Sequence, residues 1–91
     1  MLKENPQEQA EGKLIGEVSH YYGNIGVAVI KLSDALKTGD TIRIIGGEAD
    51  FQQVVDSMER EHEKIKAAEP GNDVGLKVSQ KVREGYRVYK V

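Results

Sequence analysis

The sequence predicts an all-β protein that folds as a closed six-stranded antiparallel barrel of Greek-key type. Short apolar stretches alternate with polar residues and are bounded by Gly, Asn or Asp, which is the pattern of strands joined by tight turns. Glycine supplies 10 of the 91 residues and proline only 2, which favours turns over a disordered linker. Closure is expected because it removes the exposed edges that an open six-stranded sheet would leave.

The amino-terminal residues 1–12 are predicted to be a flexible tail, and residues 13–91 a single β-barrel domain. The tail is rich in Glu and Gln, contains Pro6 and lacks apolar periodicity, so it cannot bury enough surface to offset its ordering entropy. A frayed end explains this composition, and a docking arm is the functional alternative.

The first two strands are predicted around a hairpin turn. KLIGEVSHY, beginning at Lys13, alternates in the manner of a strand, and Gly16 indicates a bulge or a close backbone approach. Gly23 and Asn24 tolerate the positive φ angles of a hairpin turn. The β-branched run 25–30 predicts a central strand that is buried on both faces.

The next strands follow turn residues along the chain. Residues 41–45 resume extended structure, and Gly46 with Gly47 ends that strand. The segment from Phe51 places alternate residues on one side, but Met58 falls out of phase and indicates a bulge or the end of the strand.

Residues 59–68 are predicted to contain one short helical turn within a charged loop or extended segment. Glu and Lys recur there at helical spacing, as in Glu63 and Lys66, but apolar positions are scarce. Pro70 and Gly71 end the segment.

The last two strands complete the predicted barrel. Val74, Leu76 and Val78 alternate toward the core, and REGYRVYKV forms the final strand after a turn at Glu84 and Gly85.

The overall composition excludes several classes of protein. The formal net charge is -2, so no global attraction to nucleic acid or to an anionic membrane is expected. Without cysteine there is no disulfide framework, and the longest apolar run is too short to span a bilayer, so a cytoplasmic location without membrane contact is predicted.

The run from Gly12 to Gly46, GKLIGEVSHYYGNIGVAVIKLSDALKTGDTIRIIG, together with AEPGNDVGLKV further on, carries a family resemblance. It resembles the second domain of translation GTPases such as elongation factor Tu, and more closely the small stand-alone translation-elongation-factor-like proteins. The resemblance implies a barrel of the translation-protein type, in which Leu36 plugs one end and Gly39 forms the turn into the third strand.

The resemblance does not extend to GTP chemistry. Gly12-Lys13-Leu14 and Gly46-Gly47-Glu48 lack the spacing and the hydroxyl of a phosphate-binding loop, so no GTP binding is expected. The same type of barrel resembles the C-terminal extension of some U32-type peptidases. We therefore predict a non-catalytic binding module that contacts RNA or the ribosome, and the alternative is a protein-interaction or accessory domain beside a GTPase or a U32-type peptidase.

A cluster of basic and aromatic residues near the carboxyl end is the candidate RNA surface. Basic side chains interleaved with tyrosines hold single strands on other β-barrels. The alternatives are that these cations form an ordinary solvated face, or that they pair with the acidic segment 48–63 across the barrel. The candidate residues are Lys77, Lys81, Arg83, Tyr86, Arg87 and Tyr89.

A second candidate surface would bind protein. Tyr21, Tyr22 and Ile25 lie close to a predicted hairpin tip, where exposed aromatic residues anchor interfaces. The structural alternative is an aromatic side chain folded over the mouth of the barrel.

The sequence predicts no catalytic residue, no cofactor and no metal site. His20 and His62 lack the spacing of metal ligands, and the serines lack the context of a nucleophile elbow. Asp34, Asp40, Asp50 and Asp56 could supply an acid–base pair if they converged in the fold, but Asp34 and Asp40 sit where turns favour aspartate.

Overall fold

The computed structural model describes residues 12–91, and all of the predicted tail 1–12 except Gly12 lies outside the described residues. Ten short strands form the fold, and no helix is present among the described residues. The strands are β1 (Lys13–Tyr22), β2 (Val27–Leu32), β3 (Leu36–Lys37), β4 (Thr41–Gly46), β5 (Ala49–Val54), β6 (Met58–Arg60), β7 (Glu63–Ile65), β8 (Ala67–Ala68), β9 (Asp73–Lys77) and β10 (Arg87–Lys90).

All strand pairs are antiparallel, which confirms the all-β class. One sheet of eight strands has the order β5-β4-β10-β1-β2-β9-β6-β7, and β3 pairs with β8 in a second, two-stranded sheet. The closed barrel of six strands is not confirmed, because the pairing within residues 12–91 leaves β5 and β7 at the two ends of an open order. The side chain of Gln53 in β5 reaches the segment after β9, where Nε2 donates to the Lys77 carbonyl and Oε1 accepts from the Ser79 amide.

Two local predictions on the strands are corrected. The helical turn predicted for 59–68 is wrong, because Glu61 and His62 adopt positive φ angles of 55° and 70° and turn β6 back onto β7. The strand at 25–30 is not buried on both faces, since Ile25 lies in the turn before β2 and is 59% exposed.

The core follows from the alternation of apolar residues along each strand. In β2, Ala28 and Ile30 are fully buried, while Val29 between them faces outward. Each fully buried aliphatic side chain contributes about 1.5–3 kcal/mol relative to exposure. The buried cluster contains Ile15, Val18, Ala28, Ile30, Leu32, Leu36, Ile42, Ile44, Phe51, Val55, Met58, Ala68, Val74, Leu76, Val82 and Val88.

Gly16 has the role that the sequence predicts for it. The register of β1 against β10 shifts between Leu14 and Gly16, which is the expected bulge. A Cβ atom at Gly16 would lie 2.5 Å from the carbonyl oxygen of Lys31, so only glycine allows β2 to approach this closely.

Residues 12–91 contain no helix that is long and apolar enough to cross a membrane.

Candidate functional site

The outward face of β1, β2 and β9 carries an apolar patch. The pairs Tyr22 with Val27 and Val29 with Gly75 lie directly opposite each other on neighbouring strands, so their side chains share one face. Val27 and Val29 are half-buried, and the missing side chain of Gly75 leaves a depression beside Val27, whose Cγ1 would lie 3.5 Å from a Cβ atom at that position. The result is an apolar floor on the side of the sheet opposite the core.

The β1–β2 turn raises further apolar surface beside this floor. The amides of Ile25 and Gly26 both donate to the carbonyl of Tyr22, at 3.2 and 2.9 Å, and fix the turn. Tyr22 is 50% exposed and Ile25 is 59% exposed. Both side chains are therefore available to a partner.

The β6–β7 hairpin forms the opposite wall. Strand β6 joins β9 through the pair Glu59 and Gly75, which places the hairpin alongside the floor. Its two-residue loop is Glu61 and His62, and both line the cavity. Floor, turn and hairpin enclose an open groove of about 930 Å³, which is called the hairpin groove below.

The rim of the hairpin groove carries both signs of charge in equal number. Three acidic residues and three Lys or Arg residues line it, namely Glu59, Glu61, Asp73, Arg60, Lys64 and Lys77. An apolar centre with a mixed polar rim is the usual anatomy of a protein-binding surface. A phosphate backbone gains no net attraction from such a rim.

His20 supports Tyr22 at the edge of the groove. The two rings meet edge to face, with centroids 4.3 Å apart and an interplanar angle of 64°. His20 Nδ1 lies 3.4 Å from Glu84 Oε2, which connects β1 to the segment before β10. These contacts limit the orientations open to the Tyr22 ring.

The predicted protein-binding residues divide between two faces. Tyr22 and Ile25 both line the hairpin groove. Tyr21 lies opposite Ala28, on the inward face, and packs against the core. Two of the three residues are thus brought together, and the third belongs to the other side of the sheet.

The structure brings the basic residues predicted to contact RNA together only in part. The sequence interpretation places them on two adjacent strands, but β1 and β2 lie between β9 and β10. Three strand spacings separate β9 from β10 by about 14 Å across the sheet. Lys77 lines the hairpin groove, whereas Lys81 and Arg83 line a second cavity of about 450 Å³ with Tyr21.

The two tyrosines of the predicted RNA surface differ in environment. Tyr86 packs against the core, and its ring occupies the space where a Cβ atom of Gly46 or Gly47 would stand. Tyr89 lies on the outward face of β10, opposite Leu14 and Arg43. Arg87 shares that face and lies opposite Glu17.

The predicted pairing of the basic segment with residues 48–63 is not seen. Among the ion pairs of residues 12–91, none joins Lys77, Lys81, Arg83 or Arg87 to residues 48–63, and the later cation Lys90 places its Nζ 3.8 Å from Asp40 Oδ2. Asp40 lies outside the acidic segment, so cross-barrel neutralisation does not account for the cluster.

The aspartates serve local geometry and local ion pairs. Asp34 accepts hydrogen bonds from Lys13 and from the Ala35 amide, and these bonds lower the pKa of its carboxyl group. Asp40 Oδ2 accepts from the Lys37 amide at 3.0 Å and closes the turn before β4.

Asp50 forms a two-pronged contact with Arg43. The guanidinium donates from Nε and Nη2 to the two carboxylate oxygens, each at 2.7 Å. These hydrogen bonds lower the pKa of Asp50. In the part of the chain that the structure describes, no three potential metal-ligating side chains come together.

The fold and the groove define a small antiparallel β domain with a concave, apolar, mixed-charge face. No protein-family model matches the chain. It is 45% identical over 76 residues to an uncharacterized protease of Methanocaldococcus jannaschii, a match that takes in 82% of this chain and 19% of the protease. The chain thus spans about a fifth of the length of that curated relative.

Solved structures are similar over nearly the whole domain. Two of these structures show the C-terminal domain of a putative U32 peptidase of Geobacillus thermoleovorans. Its selenomethionine variant has a TM-score of 0.82 at 25% identity and covers 86% of this chain and 99% of that domain. The other structure has a TM-score of 0.80 at 24% identity over 100% of this chain and shares its fold.

These similarities correct the family resemblance suggested by the sequence. The chain resembles a U32 peptidase domain, and the assignment to translation-elongation-factor-like proteins is wrong. The motifs behind that assignment do form turns and core: Gly39 has a φ of 94° and Leu36 is buried against β8. Such turn chemistry serves any fold of this kind, so it does not distinguish one family from another.

Sequence reasoning missed the floor of the groove. Val27 and Val29 were interpreted as part of a strand buried on both faces, and Gly75 only as an outward position. The signal was present in the alternation, because the charged Lys31 is in phase with Val27 and Val29 and marks their face as the outward one.

Proposed function

We propose that this chain is a non-catalytic accessory domain that works beside a U32-type peptidase and binds polypeptide. The observation that carries the proposal is the 45% identity to one segment of a longer protease, combined with a fold that covers 99% of a U32 peptidase C-terminal domain. This domain binds the polypeptide, and the peptidase beside it cleaves the peptide bond.

The local roles of the reactive side chains support a binding function. A general acid and base must lie within reach of a shared substrate position. Asp34, Asp40 and Asp50 instead bond to a neighbouring backbone amide or to a single basic side chain. The mixed charge of the groove rim supports a polypeptide as the bound partner.

A chimeric protease tests this proposal. Its matched segment is replaced by the corresponding residues of this chain, and cleavage is measured on a labelled unfolded protein that the parent protease cleaves. We expect the chimera to retain activity within about tenfold of the parent, because the exchanged segment takes no part in bond breaking. The isolated chain should cleave nothing.

Two controls make the result decisive. A parent protease without the segment shows how much the accessory domain contributes, and circular dichroism establishes that the chimera is folded. Cleavage by the isolated chain, or a folded chimera without any activity, would contradict the proposal.

Contact with RNA through the predicted basic surface stays a prediction from the sequence, and so does the cytoplasmic location. Lys81, Arg83 and Arg87 are exposed and remain available for such contact. If Arg83 and Arg87 neutralise phosphates, reversal of their charge should lower the affinity for RNA. It should also reduce the dependence of that affinity on salt concentration. Unchanged affinity and salt dependence would end that hypothesis.

A further inference from the structure

The hairpin groove has the shape of a site for a chain segment rather than for a flat protein surface. Its floor is formed by Val27, Val29 and Gly75, and its volume of about 930 Å³ is at the upper end of the range for sites that enclose most of a small ligand. Tyr22 and Ile25 on one side and the β6–β7 hairpin on the other rise above the floor. An extended peptide presents alternate side chains to one side, so such a segment can place its apolar side chains on this floor.

The charges around the groove place no restriction on the net charge of the occupant. Acidic and basic residues alternate around the groove, as in the cross-strand pair Glu59 and Lys64 and in Asp73 and Lys77 at the two ends of β9. A segment with either sign of charge finds a complementary partner on this rim. The apolar floor, which rewards buried aliphatic or aromatic side chains, supplies the selectivity.

The hairpin wall retains strained residues at its tip. A two-residue turn with positive φ at both positions normally contains Asn-Gly or a similar pair, since other side chains crowd the backbone. This turn holds Glu61 and His62, at φ angles of 55° and 70°, and both side chains line the groove. Strain retained beside a concave site is consistent with a binding role for the side chains that cause it.

We propose that the hairpin groove binds extended, unfolded polypeptide segments that carry aliphatic or aromatic side chains. The site delivers such segments to the peptidase, and this delivery role rests on the proposed function. Recognition depends on access to apolar side chains, so a folded protein that buries them is not bound.

Binding is tested with one protein in two states. The probes are fluorescein-labelled α-lactalbumin that has been reduced and carboxymethylated, which keeps it unfolded, and the same protein in its native state. We expect saturable binding of the unfolded probe to the full chain in fluorescence anisotropy and at least tenfold weaker binding of the native probe.

Two matched variants locate the site. Ile25→Lys places a charge over the groove at a position that is 59% exposed, and Leu14→Lys places one at an apolar position that is 46% exposed, toward the other end of β1. Ile25→Lys should weaken binding of the unfolded probe at least tenfold, and Leu14→Lys should leave it within twofold of wild type. Thermal unfolding of both variants verifies that each remains folded, and Tyr22→Ala gives a second variant inside the groove.

Several outcomes would overturn the inference. These are equal binding of native and unfolded lactalbumin, no binding of the unfolded probe, or equal effects of Ile25→Lys and Leu14→Lys. An active chimeric protease combined with any of these outcomes would reject the groove and leave the accessory role intact. A folded, inactive chimera with normal binding of the unfolded probe would leave a peptide-binding domain without a link to the peptidase.

Discussion

Two hairpins of this domain solve the same geometric problem with different residues. Strands β4 and β5 are joined by Gly47 and Glu48, and strands β6 and β7 by Glu61 and His62. In the first hairpin the positive φ, 51°, falls on glycine, whereas in the second both positive φ angles fall on residues with side chains. The first turn is therefore relaxed and the second is strained.

The two hairpins also differ in the number of contacts that hold their strands together, and the β4–β5 hairpin has more of them. The β4–β5 ladder has six residue pairs and the Arg43–Asp50 ion pair, while the β6–β7 ladder has three residue pairs. The long hairpin closes over Tyr86 and serves the core, and the short one forms the wall of the hairpin groove. The hairpin with the strained loop and the shorter ladder is thus the one that lines the hairpin groove.

The largest expected effect comes from adding one methyl group to the relaxed hairpin. In Gly46→Ala the new Cβ atom would lie 2.3 Å from Cδ1 of Tyr86. Because the Tyr86 backbone is anchored to β1, where its carbonyl accepts from the Val18 amide at 2.8 Å, the ring cannot move away freely. We expect a loss of about 2 kcal/mol in the free energy of unfolding, measured by urea denaturation.

A double-mutant cycle identifies the cause of that loss. In a Tyr86→Ala background, Gly46→Ala should cost less than about 0.5 kcal/mol, since the clash is gone. An equal cost in both backgrounds would show that the ring contact is not responsible.

The strained hairpin should respond with the opposite sign. Replacing its loop by Asn-Gly, through Glu61→Asn and His62→Gly, relieves two unfavourable backbone conformations and should stabilise the domain by about 1 kcal/mol. In the relaxed hairpin, Gly47→Ala should destabilise the domain by about 1 kcal/mol or more, because it adds a positive-φ cost and a contact of 2.7 Å between the new Cβ atom and Tyr86 Oη. If the Asn-Gly variant were less stable than wild type in the same denaturation experiment, the strain assigned to Glu61 and His62 would be refuted.

The smallest expected effect concerns the ion pair of the long hairpin. Arg43 lowers the pKa of Asp50 in the folded state, so the pair stabilises the fold at pH values above the ordinary Asp pKa of about 4. This contribution is lost as the pH falls through the lowered pKa. The difference in unfolding free energy between wild type and Asp50→Asn should therefore be constant near neutral pH and shrink in acid.

The same pair can be followed directly by NMR titration of the Asp50 carboxyl carbon. In an Arg43→Gln variant the titration midpoint should rise toward the ordinary value for aspartate. A midpoint that does not change between the two proteins would remove Arg43 as the cause.

Much of the fold was predictable from residue alternation and turn chemistry. The inward positions Val74 and Leu76 and the bulge at Gly16 follow from the sequence and are confirmed. The β6–β7 hairpin was missed because its loop lacks glycine and asparagine, and its Glu and Lys residues fit helical spacing as well as strand pairing. Strand order was not predictable either, since the position of β1 and β2 between β9 and β10 depends on long-range pairing.

The candidate site was predictable in part for a related reason. Neighbouring residues of a strand face opposite sides, so Tyr21 and Tyr22 could not serve one surface. Tyr22 and Ile25 meet the β6–β7 hairpin across β2 and β9, and nothing local in the sequence encodes that juxtaposition.

The most direct test of this account is a two-dimensional amide NMR titration of the chain with reduced, carboxymethylated α-lactalbumin. If the hairpin groove binds the polypeptide, the perturbed amides should cluster at Tyr22, Ile25, Val29, Gly75 and His62, and those of the β4–β5 hairpin should not shift. Perturbation centred instead on Lys81, Arg83 and Arg87, or on the β4–β5 hairpin, would contradict it.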